Sequence, residues 1–505
     1  MTATNAYSAL NERFGNYFRL LAAARILYWD SQAYMPPDGV WARGEVMAAV
    51  EGAMHDLIDR EDAGDLFAAA ERGRDSLSAV ERANLPQMKR LWADAHAVPK
   101  ELALKSSRLS TACIAAWREA KANNDFASFV KPFEEYLAVF REASEARAKA
   151  LELGGVLYDT LLEEPDVGPG PATVHTVLRD LEAALPQLLA EVIERQKSWP
   201  AAIPFSGDFS AERQRELSYK LLGIVLNDPR KSRIDVVPHP FTLTLSPGDV
   251  RITTRYEPNI RFAIMIAMHE SGHALYESNL PRPLAFSSVG LARGGTMHES
   301  QSLMVEMQAG RSREFLRWLA PRLKEAFGGD PACWTVANVL NTYRRVGEGF
   351  IRVEADELSY PLHMILRYKL EQALLTRELA VKDLPGAWSD LSQKLFGRRP
   401  PNDAQGCLQD FHWTAGLIGY FPSYALGAAL AAQYFERAIA DDPSIPARLG
   451  EADFTPYRAW VKPRIHERAS TAHFDDIVRD ATGKSFSADA FKRHLRRRYL
   501  EEPLG

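Results

Sequence analysis

Three residues within the short run AMHESGHAL at 267–275, namely His269, Glu270 and His273, are of types and at a spacing that can do hydrolytic metal chemistry. On an α-helix, residues four apart share a face and lie roughly 6 Å apart along the axis, so both imidazoles can reach one ion. Glu270, next to His269, can then address a water on that ion. This is the HExxH arrangement, in which zinc lowers the pKa of the water and the carboxylate takes its proton. Two histidines in a run that includes Ile264, Met265, Ile266, Ala267 and Met268 would be costly to bury without a partner.

A catalytic zinc site needs a third protein ligand. Glu277 continues the same stripe, but roughly 12 Å of helix separates it from His269, too far for one ion with bonds near about 2 Å. The third histidine of the longer zincin motif is absent, because Asn279 holds its position. After the Gly294-Gly295 turn, MHESQSLMVEMQAGRSREF supplies His298, Glu299 and, two turns on, Glu306. Glu299 is the preferred third ligand and His298 its competitor, while Glu306 is placed to support a ligand from behind.

The elements that must hold these residues are overwhelmingly helical. Ala- and Leu-rich amphipathic runs at 10–29, 41–58, 79–95, 101–122, 126–153 and 173–197 are each closed by Gly, Pro or polar turns. Strand signal is concentrated at 241–256, FTLTLSPGDVRITTRY, where two alternating β-branched runs flank Pro247-Gly248 and predict a hairpin just upstream of the metal helix. Its edge is either a strand for an extended peptide or a cover for the core. The uncharged stretch 414–435 contains Pro422 and several glycines, and reads as interior helix plus loop rather than a membrane span. The fold class is therefore mainly α with a small β-hairpin beside the HExxH helix.

A chain of 505 residues with 46% hydrophobic content can bury a large core. No linker or repeat divides it; the loosest stretches, 162–171 and 197–207, read as connections between helices. A net charge of −5 with both signs interspersed argues against nucleic acid or an anionic membrane as main partner. The basic run KRHLRRR at 492–498 reads as the solvated last turn of a helix. The N-terminal stretch lacks the basic lead and apolar core of a secretory signal, and Cys113, Cys333 and Cys407 are too scattered for a disulfide framework, so buried thiols and a cytoplasmic location are expected.

HESGH followed by HESQS at 298–302 resembles the M32 family of metallocarboxypeptidases, the carboxypeptidase Taq family. HPF at 239–241, DVRIT at 249–253, IRVEADE at 351–357, GCLQDFHW at 406–413, GYFPSYALG at 419–427 and YWDSQAYMP at 28–36 also resemble that family's signatures. Ser31-Gln32-Ala33 departs from the usual acidic and Thr pattern. The resemblance implies a single helical domain over 1–505 with a deep channel, its wall formed by about 1–200 and its zinc site carried by 201–505. It also implies a homodimer, peptide substrates and one zinc ion, with Co²⁺ or Mn²⁺ as possible substitutes.

Carried over by position, the resemblance gives His269, His273 and Glu299 as ligands and Glu270 as base. Arg352 matches the family's proposed anchor for the substrate's terminal carboxylate, a task suited to a bidentate guanidinium; the alternative for Arg352 is a buried pair with Glu354 or Asp356. Tyr420 is the favoured oxyanion donor, with His412 and His239 as further polar groups facing the site. Arg251 and Arg255 on the hairpin are read either as substrate holders or as bridges to surface carboxylates. The expected activity is release of single residues from peptide C-termini with broad specificity. The alternatives are a zinc endo-oligopeptidase and, in another class, an inactive peptide-binding protein, which the intact Glu270 argues against.

Overall fold

The computed structural model describes residues 2–162, 168–237, 241–256, 259–347 and 349–503. Long helices dominate it. Each predicted amphipathic run forms one, from Ala3–Ala33 through Val40–Ile58, Ala79–Ala97, Lys100–Asn123 and Phe126–Ala150 to Pro171–Gln196. Their starts follow local chemistry: the Thr2 hydroxyl accepts from the Asn5 amide at 3.3 Å, and Ser78 and Glu81 form a reciprocal capping box.

Two apolar cores result. The smaller joins Tyr7, Leu10, Phe14 and Phe18 of the first helix to Leu66, Phe67, Leu85 and Met88. The larger runs from Cys113 to Tyr499 and encloses the HESGH helix. All three cysteines are buried free thiols in that part of the chain, as expected. The stretch 414–435 is a turn followed by the helix Pro422–Asp441, and among the described residues no helix is long and apolar enough to cross a membrane. Residues 163–167, in one of the two loose connections, lie outside the described part.

The hairpin forms at the expected place, with a third strand that periodicity alone did not reveal. Strands β1 (Ser232–Val236), β2 (Thr242–Ser246) and β3 (Asp249–Thr254) are ordered β1-β3-β2. β2 pairs antiparallel to β3 with Thr242 opposite Ile252, and β1 pairs parallel to β3 with Ile234 opposite Ile252. SRIDV is too short and too charged to announce β1; it is held because Asp235, 5% exposed, receives Arg233, the Trp29 indole at 3.2 Å and the Tyr34 hydroxyl at 2.5 Å. That cluster ties the first helix to the sheet. The first helix also covers part of the β2 edge, where Arg25 donates to the Thr244 carbonyl at 2.9 Å.

Three helices enclose the site. The HESGH helix, Ile260–Ser278, packs against Gly294–Leu303, which in turn packs against Pro422–Asp441. Two glycines permit these approaches. A Cβ on Gly272 would lie 2.6 Å from the Gln301 carbonyl, and one on Gly427 would lie 2.7 Å from Cγ of Glu299. Gly294–Leu303 continues directly into a π-helical segment, Met304–Gly310. Such segments place one extra residue per turn and recur at functional sites.

Candidate metal centre

His269, His273 and Glu299 converge, each offering one ligand atom within 4.8 Å of the others. Nε2 of His269 and Nε2 of His273 stand 3.8 and 3.6 Å from the same carboxylate oxygen of Glu299. These separations are too long for hydrogen bonds, yet they suit an ion bonded to all three at about 2.0–2.2 Å. The donor set, two imidazoles and a carboxylate, is that of a catalytic zinc site with an open position.

A neighbouring carboxylate sets the tautomer of His269. Nδ1 of His269 lies 3.0 Å from Glu306, whose other oxygen receives Arg311. The carboxylate holds the proton on Nδ1 and leaves Nε2 free as a ligand, which is the supporting role expected for Glu306. Burial pushes His269 down, but Glu299, Glu306 and Glu270 outweigh it and push it up to about 10. Burial, with His298 and His269 nearby, holds His273 well below its ordinary value, and hence neutral. Burial raises Glu299 as well, against the pull of His269.

His298, the competing ligand, is turned away from the centre. It stacks on the His273 ring at 4.2 Å and bonds Glu277 at 3.0 Å. Glu277, excluded as a ligand by helix geometry, thus serves the neighbour of the site. Glu270, 7% exposed, accepts from the Thr242 hydroxyl at the end of β2. Burial raises its pKa, while His269 and that hydroxyl pull it down.

Arg352 is buried, with Nε and Nη2 each 3.0 Å from Asp410, and lies over the rings of Phe421 and Tyr424. The sequence had offered Glu354 or Asp356 as partners. Asp356 is occupied instead by the amides of Gly347, Leu358 and Ser359. Arg367 grips the other Asp410 oxygen at 2.5 Å. Two guanidiniums thus share one carboxylate, and Nη1 of Arg352 has no hydrogen-bond partner among the described residues. His412 Nδ1 lies 3.8 Å from Asp410, and burial together with Arg352 pushes its pKa down to about 4.

Two tyrosines not singled out from the sequence join these clusters. Tyr360 donates to the second oxygen of Glu299 at 3.2 Å, and its ring meets Tyr424, which lies under Arg352. Tyr420 contacts Tyr424 edge-on at 5.2 Å and is 40% exposed. Arg251 is bound to Asp249 at 2.5 and 2.9 Å and lies over Trp29, which favours the bridging alternative for it. His239 lies outside the described residues.

The basic run 492–498 is solvated on one face only, where Arg493, Arg496 and Arg497 are exposed; its other face is buried. Lys492 pairs with Asp180 at 2.7 Å, and His494 and Arg498, each 6% exposed, enclose Glu357. An entirely buried carboxylate draws its cations inward, and nothing in the local run signals Glu357 about 140 positions earlier.

A helical scaffold around a buried His-His-Glu donor set has the make-up of a metallopeptidase. The family model for the carboxypeptidase Taq (M32) metallopeptidases matches residues 9–499. Carboxypeptidase 1 of Bacillus subtilis is 33% identical over 503 residues, covering 97% of this chain and 96% of the relative. Thermostable carboxypeptidase 1 of Pyrococcus furiosus is 32% identical over 95% of each chain. Among solved structures, Trypanosoma cruzi metallocarboxypeptidase 1 superposes with a TM-score of 0.94 at 34% identity, covering 98% of this chain and 100% of that one. The M32 carboxypeptidase from Deinococcus radiodurans gives 0.91 at 29% identity, covering 98% and 99%. The chain belongs to the M32 family, and is a metallocarboxypeptidase.

Proposed function

We propose that the chain is a zinc-dependent carboxypeptidase that releases single amino acids from peptide C-termini with broad specificity. The observation that carries this reading is the convergence of His269, His273 and Glu299 on one point, with Glu270 beside it. When bound there, zinc supplies a Lewis acid and lowers the pKa of water; Co²⁺ or Mn²⁺ would suit the same donors.

The remaining steps belong to the chain. Glu270, oriented by Thr242, takes the proton of the attacking water and delivers it to the leaving amine. Arg352 binds the substrate's free carboxylate through the donors that Asp410 leaves available, and so sets cleavage one residue from the end. The Tyr420 hydroxyl donates to the developing oxyanion. His412, uncharged above about pH 4, adds a polar wall without a competing positive charge. His239 is proposed as a further polar contact for the substrate, and Arg251, held by Asp249, as a brace of the hairpin.

In this reading residues 1–505 act as one domain, with about 1–200 as wall of a deep channel and 201–505 carrying the centre. Two copies form a homodimer. Three buried free cysteines accord with a cytoplasmic location. The test is product analysis on defined peptides with free or amidated C-termini, with zinc and after chelation. Single residues released only from free acids, in a zinc-dependent way, are expected. Internal fragments would replace the reading by an endo-oligopeptidase, and binding without cleavage by a peptide-binding protein.

A further inference from the structure

The last helical turn of the chain is built into the support of the metal centre. Glu357 is fully buried and receives Nε2 of His494 at 2.7 Å, Nη1 of Arg498 at 2.8 Å and the Tyr499 hydroxyl at 3.2 Å. Held there, Arg498 also donates to two main-chain carbonyls, Met307 through Nη1 at 2.6 Å and Gln308 through Nη2 at 3.2 Å. Both carbonyls belong to the π segment Met304–Gly310, the segment that carries Glu306. Glu306 in turn holds Nδ1 of His269, and its second oxygen receives Arg311 just past the segment's end.

Elementary chemistry says why such a clamp is needed. A helix leaves its last carbonyls without intrahelical partners, and a cation there satisfies them and complements the helix dipole. A π turn is less regular than an α turn and is held by its surroundings rather than by propensity. A planar guanidinium can reach a carboxylate and two carbonyls at once, which an ammonium on one stem cannot do in the same fork geometry.

We infer that Arg498 is a positioning residue for the metal centre: anchored by Glu357, it fixes the π segment and thereby sets Glu306 against His269. The inference rests on the zinc reading above. Loss of a ligand's direct outer partner, here Glu306, typically weakens metal binding about 10- to 100-fold, which bounds what the loss of Arg498 can cost.

The experiment measures zinc affinity by competition with a chromophoric chelator on the folded full-length chain, alongside thermal unfolding of the metal-free protein. Arg498→Met should weaken zinc binding several-fold, by no more than the roughly 10- to 100-fold expected of Glu306→Gln, and Arg498→Lys should recover part of that loss. If Arg498 acts through Glu306, then Glu306→Gln combined with Arg498→Met should bind zinc no more weakly than Glu306→Gln alone. Fully additive losses would overturn the inference. So would a lowered unfolding temperature with unchanged zinc affinity, because a merely structural role predicts that outcome. If Arg498→Met does not fold, Arg498→Lys decides by itself: several-fold weaker binding supports the clamp, and wild-type affinity overturns it. A wild type that binds no zinc overturns the reading of the centre and this inference together, whereas a wild type that binds zinc and is matched by Arg498→Met overturns this inference alone.

Discussion

At the metal centre three buried carboxylates, Glu270, Glu299 and Glu306, gather around two imidazoles and the guanidinium of Arg311. One aromatic layer away, beyond Tyr360 and Tyr424, two guanidiniums share the single carboxylate of Asp410. The first cluster has an excess of negative charge and donor atoms standing 3.6 to 3.8 Å apart; the second has an excess of positive charge and contacts of 2.5 to 3.0 Å. Buried charge is tolerated only when matched, so each cluster leaves room for a particular guest. On the reading proposed above, the first would take a divalent cation and the second the substrate's anionic terminus. A peptide held at its terminal carboxylate near a metal-activated water would then satisfy both.

The comparison can be broken most severely at the cation side. Glu299→Ala should lose bound zinc and activity together, since it removes one of three ligands, whereas His298→Ala should keep the metal. Metal analysis of the purified variants checks this, and the opposite order would make His298 the ligand. Glu270→Gln should retain the metal yet lower turnover by about 10²- to 10⁴-fold, because only the proton acceptor is gone. Near wild-type turnover in that variant would remove Glu270 from the mechanism.

On the anion side the expected effects are smaller. Amidating the substrate's C-terminus should cost the wild type roughly 1.5 to 3 kcal/mol in kcat/KM, about 10-fold to more than 100-fold. Arg352→Ala should lose a similar amount on the free acid and scarcely distinguish acid from amide. Equal cleavage of acid and amide by the wild type would mean that Arg352 does not read the terminus.

A third buried carboxylate sharpens the contrast with the least effect. Glu371 has no cation in ion-pair contact among the described residues; it is held by the Tyr158 hydroxyl at 2.8 Å, the Trp413 indole at 2.7 Å and the Gly419 amide at 3.2 Å. Burial outweighs those donors and pushes it from 4.5 up to about 7. Over that window the folded chain keeps a proton that the unfolded chain has released, so stability falls as pH rises, by at most about 1.4 kcal/mol per pH unit. Glu371→Gln should abolish that slope, as followed by denaturant titrations at several pH values. A variant with the wild-type slope would assign the pH dependence to another group.

How much of this was legible in the chain depends on whether partners are close in sequence. HESGH carries two candidate ligands about one helical turn apart, and the periodicity of the long helices is local, so both could be read directly; HESQS offered His298 and Glu299 side by side, and only packing sets them apart. The hairpin too was legible, because its turn and alternation are contiguous. Asp410 as the partner of Arg352, 58 positions away, and Glu357 as the partner of Arg498, 141 positions away, depend on tertiary packing. A basic run looks the same in sequence whether it meets water or a buried acid. Tyr360 and Tyr424 were hidden for another reason: a core tyrosine and a tyrosine that supports a metal ligand have the same local pattern.

The tight passage at Gly427 has a consequence for entropy. Cβ and Cγ of Glu299 lie 2.8 and 2.7 Å from the place a side chain would begin at that glycine, so the glutamate has few alternative rotamers open to it. Its conformational freedom is surrendered when the helices pack, as part of folding. On the reading proposed above, ion uptake would then meet a ligand already aimed, with little of the binding free energy spent on ordering it.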